Sequence, residues 1–564
     1  MKLIYALILC FLLFTNCKSV RESRVPYSNE STNKQSNQSE LKNWFQKDYL
    51  TDRFPGISLD KWESENKMKP KVKNIIVGII DTQVDLKHED LQGQIWVNAH
   101  EIPNNNIDDD HNGYIDDVNG WSFIGTKKGS YLTWSNFESI RIIREGESKF
   151  KNKAENEISA EDLREFKGYN KALKEFEKND KYYRSWLKSL TFNAAVFPLS
   201  KDTLKYFFPK ENYTYTQLDS LYKKHKTNDR TYRQRRDDND RDLGALISYM
   251  MVSFEVNQKT LEEVKTQEKY LDSIVNKNLS FNYNERVHIG DNPKILEKGY
   301  GNNQVSLDKE LQSHNTKVSG IIAANRENKK GIKGFSQNIK VMPLNLSCSG
   351  DEHDKDIAMA IRYAVDNGAK VINMSFGKEL SLRKEWVFDA FKYAEEHNVL
   401  IIHSAGNSAL NVDENQIYPS DIDLESPNEV CGNFINVGST THHLDSTFVS
   451  NFSNYGKKNV DLFAPGDEIY TTKVGNEYEF DSGTSLAAPM VSGTASLIWL
   501  YYPKLTVKEV KQIILDSGTS YDLEVILPGT KDKKVPFSQL SKSGKVLNVY
   551  NAMKMAEKIH KTKQ

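Results

Sequence analysis

The stretch FDSGTSLAAPMVSGTASLIWLYYP, residues 480–503, decides the fold. From Leu486 to Leu500 the side chains are small or apolar on every face. They do not alternate with polar ones at the helical period, so the run predicts a helix buried all round. Gly483 and Thr484 suit a tight entry into that helix. Pro489 is tolerable because first-turn N–H groups have no intrahelical partners. Ser485 therefore stands among free N–H groups at the positive end of the helix dipole. Alone, a serine at this place reads as a helix cap. The rest of the chain decides whether it does chemistry.

A helix buried on all sides needs a sheet to pack on, and the chain carries apolar runs of strand length. NIIVGIIDTQVD (74–85) ends in an acid, which places Asp81 at the C-terminal end of a buried parallel strand, where open α/β sheets form their sites. KVMPLNLS (340–347), AKVINMSFG (369–377), NVLIIHSAGN (398–407) and FINVGST (434–440) read the same way. Helical patterns separate them: DKDIAMAIRYAVDNG, closed by Gly368, and EWVFDAFKYAEEHN. Strands alternating with helices predict an α/β fold, a mainly parallel sheet covered on both faces.

LQSHNTKVSGIIAAN (311–325) sets His314 at the start of a second small-residue helix. By itself it is equally a core histidine. Asn407, after Gly406 at a strand end, is by itself a turn residue. Together, an acid at a strand end, a histidine and a serine at helix starts, and a projecting amide are the parts of acyl transfer. The acid orients the imidazole, the imidazole takes the serine proton, and the amide holds the oxyanion.

The blocks IIVGIIDTQVDLKHEDL, HNTKVSGIIAA, VINMSFG, IIHSAGNS, SNFSNYGKKNVDLFAPGDEIYTT and SGTSLAAPMVSGTASL resemble those of the subtilisin-like serine endopeptidases, the subtilases, in that family's Asp, His, Ser order. The resemblance covers most of 70–150 and 290–515. It implies a three-layer subtilisin-like fold and a polypeptide substrate. It makes Ser485 the nucleophile, His314 the general base, Asp81 the orienting acid and Asn407 the oxyanion donor beside the Ser485 N–H. It further implies that Ser375, Phe376 and Gly377 pair with an extended substrate and that Ala405 and Gly406 line the first specificity pocket. Three positions depart from the family. Asn315 and Lys317 stand where Gly and a second His are usual, and Thr82-Gln83 stands where Thr or Ser and then Gly is common. Asn315 is expected beside the cleft, narrowing access to it. The alternative is a catalytically weak or inactive subtilase fold that binds peptides as a surface scaffold.

IPNNNIDDDHNGYIDDVNGWSF (102–123) concentrates oxygen ligands at the spacing of an EF-hand-like loop: Asp108, Asp110, Asn112, the Tyr114 carbonyl, Asp116 and Asp117, with Gly113 at the sharp turn. So many acids repel one another unless a cation lies among them. Related subtilase segments imply a structural Ca²⁺, whereas the bland reading is a solvated acidic loop. No cofactor is needed for the chemistry itself.

With 76 Lys+Arg against 77 Asp+Glu, the chain has no bulk charge that calls for nucleic acid. RTYRQRRDDNDRD (230–242) interleaves acids with bases and is expected to be solvated and self-paired. Cys348 and Cys431 are too few for a disulfide framework and read as buried free thiols, the alternative being one disulfide between them in an oxidising compartment. The start, MKLIYALILCFLLFTNCKSV, resembles a bacterial lipoprotein signal with Cys17 as the lipidated residue. This predicts export, with a lipid anchor on the outer membrane or facing the periplasm or cell surface. The expected organisation is a signal peptide at 1–17, a tether and extension at 18–70, and a peptidase domain at 71–127 and 286–560. A helical insertion at 128–285 would act as a lid or as a platform for a protein partner. In SAEDLREFKGYNKALKEFEKNDKYYRSWLKSL (159–190) its apolar positions are Leu163, Phe166, Leu173, Phe176, Trp186 and Leu190.

Overall fold

The structure, a computed structural model, describes residues 24–25 and 40–563 apart from 257, 259 and 425. The apolar run at 1–17, Cys17 and most of the polar stretch at 18–40 lie outside the described residues. The central sheet has, in spatial order, Arg24–Val25, Thr519–Tyr521, Lys545–Val546, Leu462–Pro465, Phe434–Thr440, Leu400–Ser404, Val371–Met374, Ile75–Asp81, Ile339–Asn345 and Trp121–Ser122. Every pairing is parallel except that of Thr519–Tyr521 with Lys545–Val546.

Side chains on a strand point alternately to opposite faces, and the two faces build separate cores. Val77, Ile79, Leu400, Ile402 and Ile435 enter one core with the helices Ser313–Ala323 and Thr484–Tyr501. Ile80, Ile372, Met374, Ile401 and Phe434 enter the other with Asp354–Asp366 and Lys384–Glu396. This is a three-layer α/β fold with a mainly parallel sheet. The sequence-predicted strands run on past the structural ones. Residues 375–377 and 405–407 leave the ladder as loops at the C-terminal edge of the sheet.

The helix Thr484–Tyr501 is buried along its whole length except at Ser485, which is half-buried. Polar groups inside the core fix its height. Ser492 Oγ donates to Asn373 Oδ1 at 2.8 Å, and Asn373 Nδ2 donates to Ser375 Oγ at 2.9 Å. The helix Ser313–Ala323 packs so closely on the strand Ile469–Lys473 that a Cβ at Gly320 would meet Thr472 Oγ1 at 2.0 Å.

The extension expected at 18–70 is, from Glu40 on, folded onto the first core. Trp44, Phe45, Ile57, Leu59 and Trp62 are buried there.

Residues 138–278 form helices, including Glu138–Phe150, Tyr215–His225, Leu243–Glu255 and Leu261–Ser273. The longest, Leu163–Leu204, has 42 residues. They bury small cores of their own around Leu190, Phe197, Leu204, Ile247 and Leu271, and around Phe150, Phe166 and Tyr169. The second of these also takes in Leu380 from the main body. The segment leaves and returns at one place. Ser135 N–H donates to the Ser349 carbonyl at 2.7 Å, and Phe137 N–H to the Asn278 carbonyl at 2.9 Å.

Two expectations for this region are corrected. Trp186, on the long helix, is 38% exposed, with the ring of Tyr182 6.0 Å from its own. The basic-acidic cluster is self-paired but not solvated throughout. Arg235 is fully buried and bonded to Asp240 and Asp242 at 3.2 and 3.4 Å. Cys348 and Cys431 are both free thiols. Cys431 is buried and Cys348 half-buried.

Candidate active site

The strand Ile75–Asp81 delivers the Asp81 carboxylate, 2% exposed, to the C-terminal edge of the sheet. The first turn of Ser313–Ala323 sets His314 over it. His314 Nδ1 lies 2.8 Å from Asp81 Oδ1 and 2.9 Å from Oδ2. Burial of the ring opposes its protonation, but the charge and hydrogen bond of Asp81 outweigh burial and the repulsion of Lys317. The imidazole is held above its ordinary pKa.

Three contacts hold this pair, and the sequence reading missed all three. Asn315 is fully buried. Its Nδ2 donates to the Thr82 carbonyl at 2.8 Å, and its Oδ1 accepts from Ser319 Oγ at 2.8 Å. The expectation that Asn315 narrows the cleft is thereby corrected: its amide turns into the protein and ties the histidine helix to the end of the acid strand. Gln83 Oε1, where the family commonly has glycine, accepts the N–H groups of Leu307 and Asp308 at 2.6 and 2.8 Å. It pins the approach to the histidine helix. Lys317 pairs with Asp481 and Glu479 at 2.6 and 2.7 Å. It joins that helix to the hairpin strand Glu477–Asp481, which leads into Ser485.

Ser485 lies in the first turn of its helix, where backbone N–H groups lack intrahelical acceptors. Its Oγ donates to the Ser375 carbonyl at 3.1 Å, and Ser375 Oγ donates back to the Ser485 carbonyl at 3.1 Å. His403 Nε2, 2.7 Å from the Phe376 carbonyl, draws that carbonyl inward. In an extended segment successive peptide groups face opposite ways, so the backbone of Ser375 and Gly377 faces outward. Burial pushes His403 down to about 4, so this ring is neutral and donates from Nε2.

Asn407 is exposed at the end of the strand Leu400–Ser404. Its Oδ1 accepts both Thr484 N–H at 2.9 Å and Thr484 Oγ1 at 2.8 Å. The amide oxygen is thus used, and Nδ2 lies beside Gly483 with its hydrogens left to donate. Asn454 shapes this loop from beneath, another residue missed by local pattern. Its Nδ2 donates to the Ala405 carbonyl at 2.8 Å, and its Oδ1 accepts Ser408 and Leu410 N–H at 3.1 and 2.8 Å. Gly406 between them has φ +105°, and a Cβ there would meet Asn454 Nδ2 at 2.4 Å. Both facts require glycine.

In the acidic loop the structure groups Asp110 and Asp117 with Glu101, which the spacing argument did not include. A carboxylate oxygen from each lies within 4.8 Å of the others. Glu101 Oε2 is buried without a partner. Burial first, then mutual repulsion, raises Glu101 and Asp117 above the usual carboxylate range. Asp108 and Asp116 instead accept backbone N–H groups: Gly113 at 2.8 Å for Asp108, Asn105 and Asn106 at 3.1 and 2.9 Å for Asp116. Asn112 donates from Nδ2 to Asp117 at 2.9 Å. The Tyr114 ring packs at 4.8 Å from Tyr363 in the second core.

Several curated proteins are similar to this chain. The cell wall-associated protease of Bacillus subtilis (strain 168) is 30% identical over 233 residues, 41% of this chain and 24% of that protein. The thermophilic serine proteinase of Bacillus sp. (strain AK1) is 35% identical over 190 residues, 34% of this chain and 43% of that protein. Subtilisin DY of Bacillus licheniformis is 30% identical over 217 residues, 38% of this chain and 73% of that protein. The chain thus spans less than half the length of the first two. The Subtilase family model, Peptidase S8, matches residues 72–539, most of the sequence, and on that match the chain belongs to the subtilase family.

Proposed function

We propose that this chain is a serine endopeptidase that hydrolyses peptide bonds in polypeptides, with Asp81, His314, Ser485 and Asn407 as its catalytic groups. The observation that carries this reading is His314 Nδ1 held on both carboxylate oxygens of Asp81. That contact leaves Nε2 as the basic nitrogen. It takes the Ser485 proton as Oγ attacks the substrate carbonyl, and returns it to the leaving amine; water then hydrolyses the acyl-enzyme. Negative charge developing on the carbonyl oxygen is met by Asn407 Nδ2 and the Ser485 N–H.

The Ser485 hydroxyl is engaged by the Ser375 carbonyl. An extended substrate pairing with Ser375, Phe376 and Gly377 presents an N–H to that same carbonyl. Binding therefore frees the hydroxyl to turn to His314. A fluorophosphonate probe tests this reading: Ser485 of the wild type should be labelled, and Ser485→Ala and His314→Ala should not. The resting bond of Ser485 also supports a second reading, a subtilase fold that binds peptides without cutting them. Peptide binding with no labelling would favour it.

The cluster of Glu101, Asp110 and Asp117 fits a structural Ca²⁺, since its donors are all oxygen and Glu101 Oε2 has no other partner. Bound there, the ion neutralises three crowded carboxylates.

The helical segment 138–278, read as an insertion within the peptidase domain, serves as a lid. A groove of about 620 Å³ lies between Arg164, Gly168 and Lys171 of the long helix and Leu380, Leu382 and Tyr418 of the main body. It admits an extended chain better than a folded one. Export and lipidation at Cys17 rest on the apolar run that precedes it.

A further inference from the structure

The loop after the strand Phe434–Thr440 carries His442 and His443, and the loop after Leu462–Pro465 carries Glu468. One ring nitrogen from each histidine and a carboxylate oxygen of Glu468 lie within 4.8 Å of one another. His442 Nδ1 stands 3.1 Å from Glu468 Oε2, yet this buried nitrogen makes no hydrogen bond. The spacing is that of two ligands on one ion. Around a tetrahedral centre with bonds of about 2.0–2.1 Å, neighbouring ligand atoms stand roughly 3.3–3.4 Å apart.

With no hydrogen bond between them, His442 Nδ1 and the Glu468 carboxylate oxygen face each other as two electron-pair donors, an arrangement that a shared cation satisfies. The His442 and His443 rings lie tilted at 40° with centroids 3.8 Å apart, so His443 has its place in the same shell.

The surroundings hold the donors in position, as a metal site needs. Trp44 packs its edge on His442 at 5.9 Å, and its Nε1–H donates to the Glu468 carbonyl at 3.0 Å. Glu468 N–H donates to Ser482 Oγ at 3.0 Å. Glu468 also sits at φ +51°, a left-handed conformation unusual for a glutamate. A cavity of about 610 Å³, bordered by His443, Asp467 and Asn451, leaves room for water or a further ligand.

We propose that His442, His443 and Glu468 bind a divalent transition metal of the zinc type through two imidazoles and one carboxylate. This donor set suits zinc and its neighbours, whereas an all-oxygen cluster suits calcium. The ion would brace the entry to the serine helix. Glu468 and Asp467 both bond Ser482, and Gly483 N–H donates to the Gly466 carbonyl at 2.7 Å.

The test uses the full chain carrying Ser485→Ala, stripped with chelator and then saturated with Ca²⁺ so that oxygen sites are filled. Co²⁺ should give the visible ligand-field bands of a four- or five-coordinate nitrogen–oxygen site, and Zn²⁺ should displace them and raise the melting temperature. Glu468→Gln and His443→Gln, both at exposed positions, should weaken binding by at least about 10-fold while the unliganded melting temperature holds. Absence of the bands, or bands that survive in both variants, would overturn the site.

Discussion

Asn315 Nδ2 donates to the Thr82 carbonyl at 2.8 Å, joining two residues 233 positions apart, each the immediate neighbour of a member of the Asp81–His314 pair. The residue that departs from the family's usual glycine therefore latches the base to the acid. Replacing it by Ala removes two buried hydrogen bonds and strands the Thr82 carbonyl and Ser319 hydroxyl, at a cost of about 1–3 kcal/mol. Asn315→Ala should lower kcat by roughly tenfold with KM little changed, since 1.4 kcal/mol is a factor of ten. Steady-state kinetics on a short peptide check this. A rise in kcat would restore the view that Asn315 obstructs the cleft.

Lys317 lowers the His314 pKa while Asp481 raises it, and the two are ion-paired. Lys317→Met removes a nearby positive charge and leaves Asp481 without its ion-pair partner, while Glu479 keeps Lys473 at 3.5 Å. Both changes favour the imidazolium. Protonated His314 cannot accept the Ser485 proton, so the acid limb of kcat/KM, already set above the ordinary histidine value, should move to higher pH. A pH–rate profile of the two proteins measures the shift. Movement to lower pH would contradict the charge assignment.

Lys378, next to Gly377, is fully buried between Glu138 at 3.0 Å and Asp354 at 2.9 Å. Glu138 opens the first helix of the segment 138–278 and also accepts Leu382 N–H at 2.9 Å. The contact fastens the proposed lid to the continuation of the substrate strand. Breaking a buried pair from one side costs up to about 3–5 kcal/mol when the other charge is left alone, and less here because Lys378 keeps Asp354. Glu138→Gln should therefore lower thermal stability by less than this and speed cleavage of folded substrates relative to short peptides. Equal change in both rates would remove the lid from the account.

Chelation should lower the melting temperature of the wild type, since an ion bound only by the folded state stabilises it by mass action. Glu101→Gln or Asp110→Asn should abolish most of the Ca²⁺-dependent part. Asp108→Asn, whose carboxylate serves backbone amides, should leave it in place. Differential scanning calorimetry with and without Ca²⁺ separates these outcomes.

What the sequence could and could not disclose follows from the range of the interactions. The parallel strands were legible because a strand buried on both faces must be apolar throughout, as in Ile75–Asp81 and Leu400–Ser404. Their ends were not, because no charged residue or proline separates Met374 from 375–377 or Ser404 from 405–407 to mark where the ladder stops. Asp81, His314, Ser485 and Asn407 stood out because each is a reactive side chain at the end of a buried element. Glu101 did not, because the acidic spacing drew attention to 108–117 and a residue outside that run is brought in only by the fold. Asn454 and Gln83 act on backbone groups remote in sequence, and no local pattern marks them. His442, His443 and Glu468 become neighbours only when two adjacent strands end at the same edge.

The most direct test of the central claim is hydrolysis of a mixed peptide library by the purified wild type beside Ser485→Ala and His314→Ala, with products read by mass spectrometry. Wild type should cleave internal bonds, and each variant should lose activity by about 10⁴-fold or more while keeping its fold. A wild type that binds the peptides and leaves them intact, or a Ser485→Ala protein that cuts as well as wild type, would contradict the account.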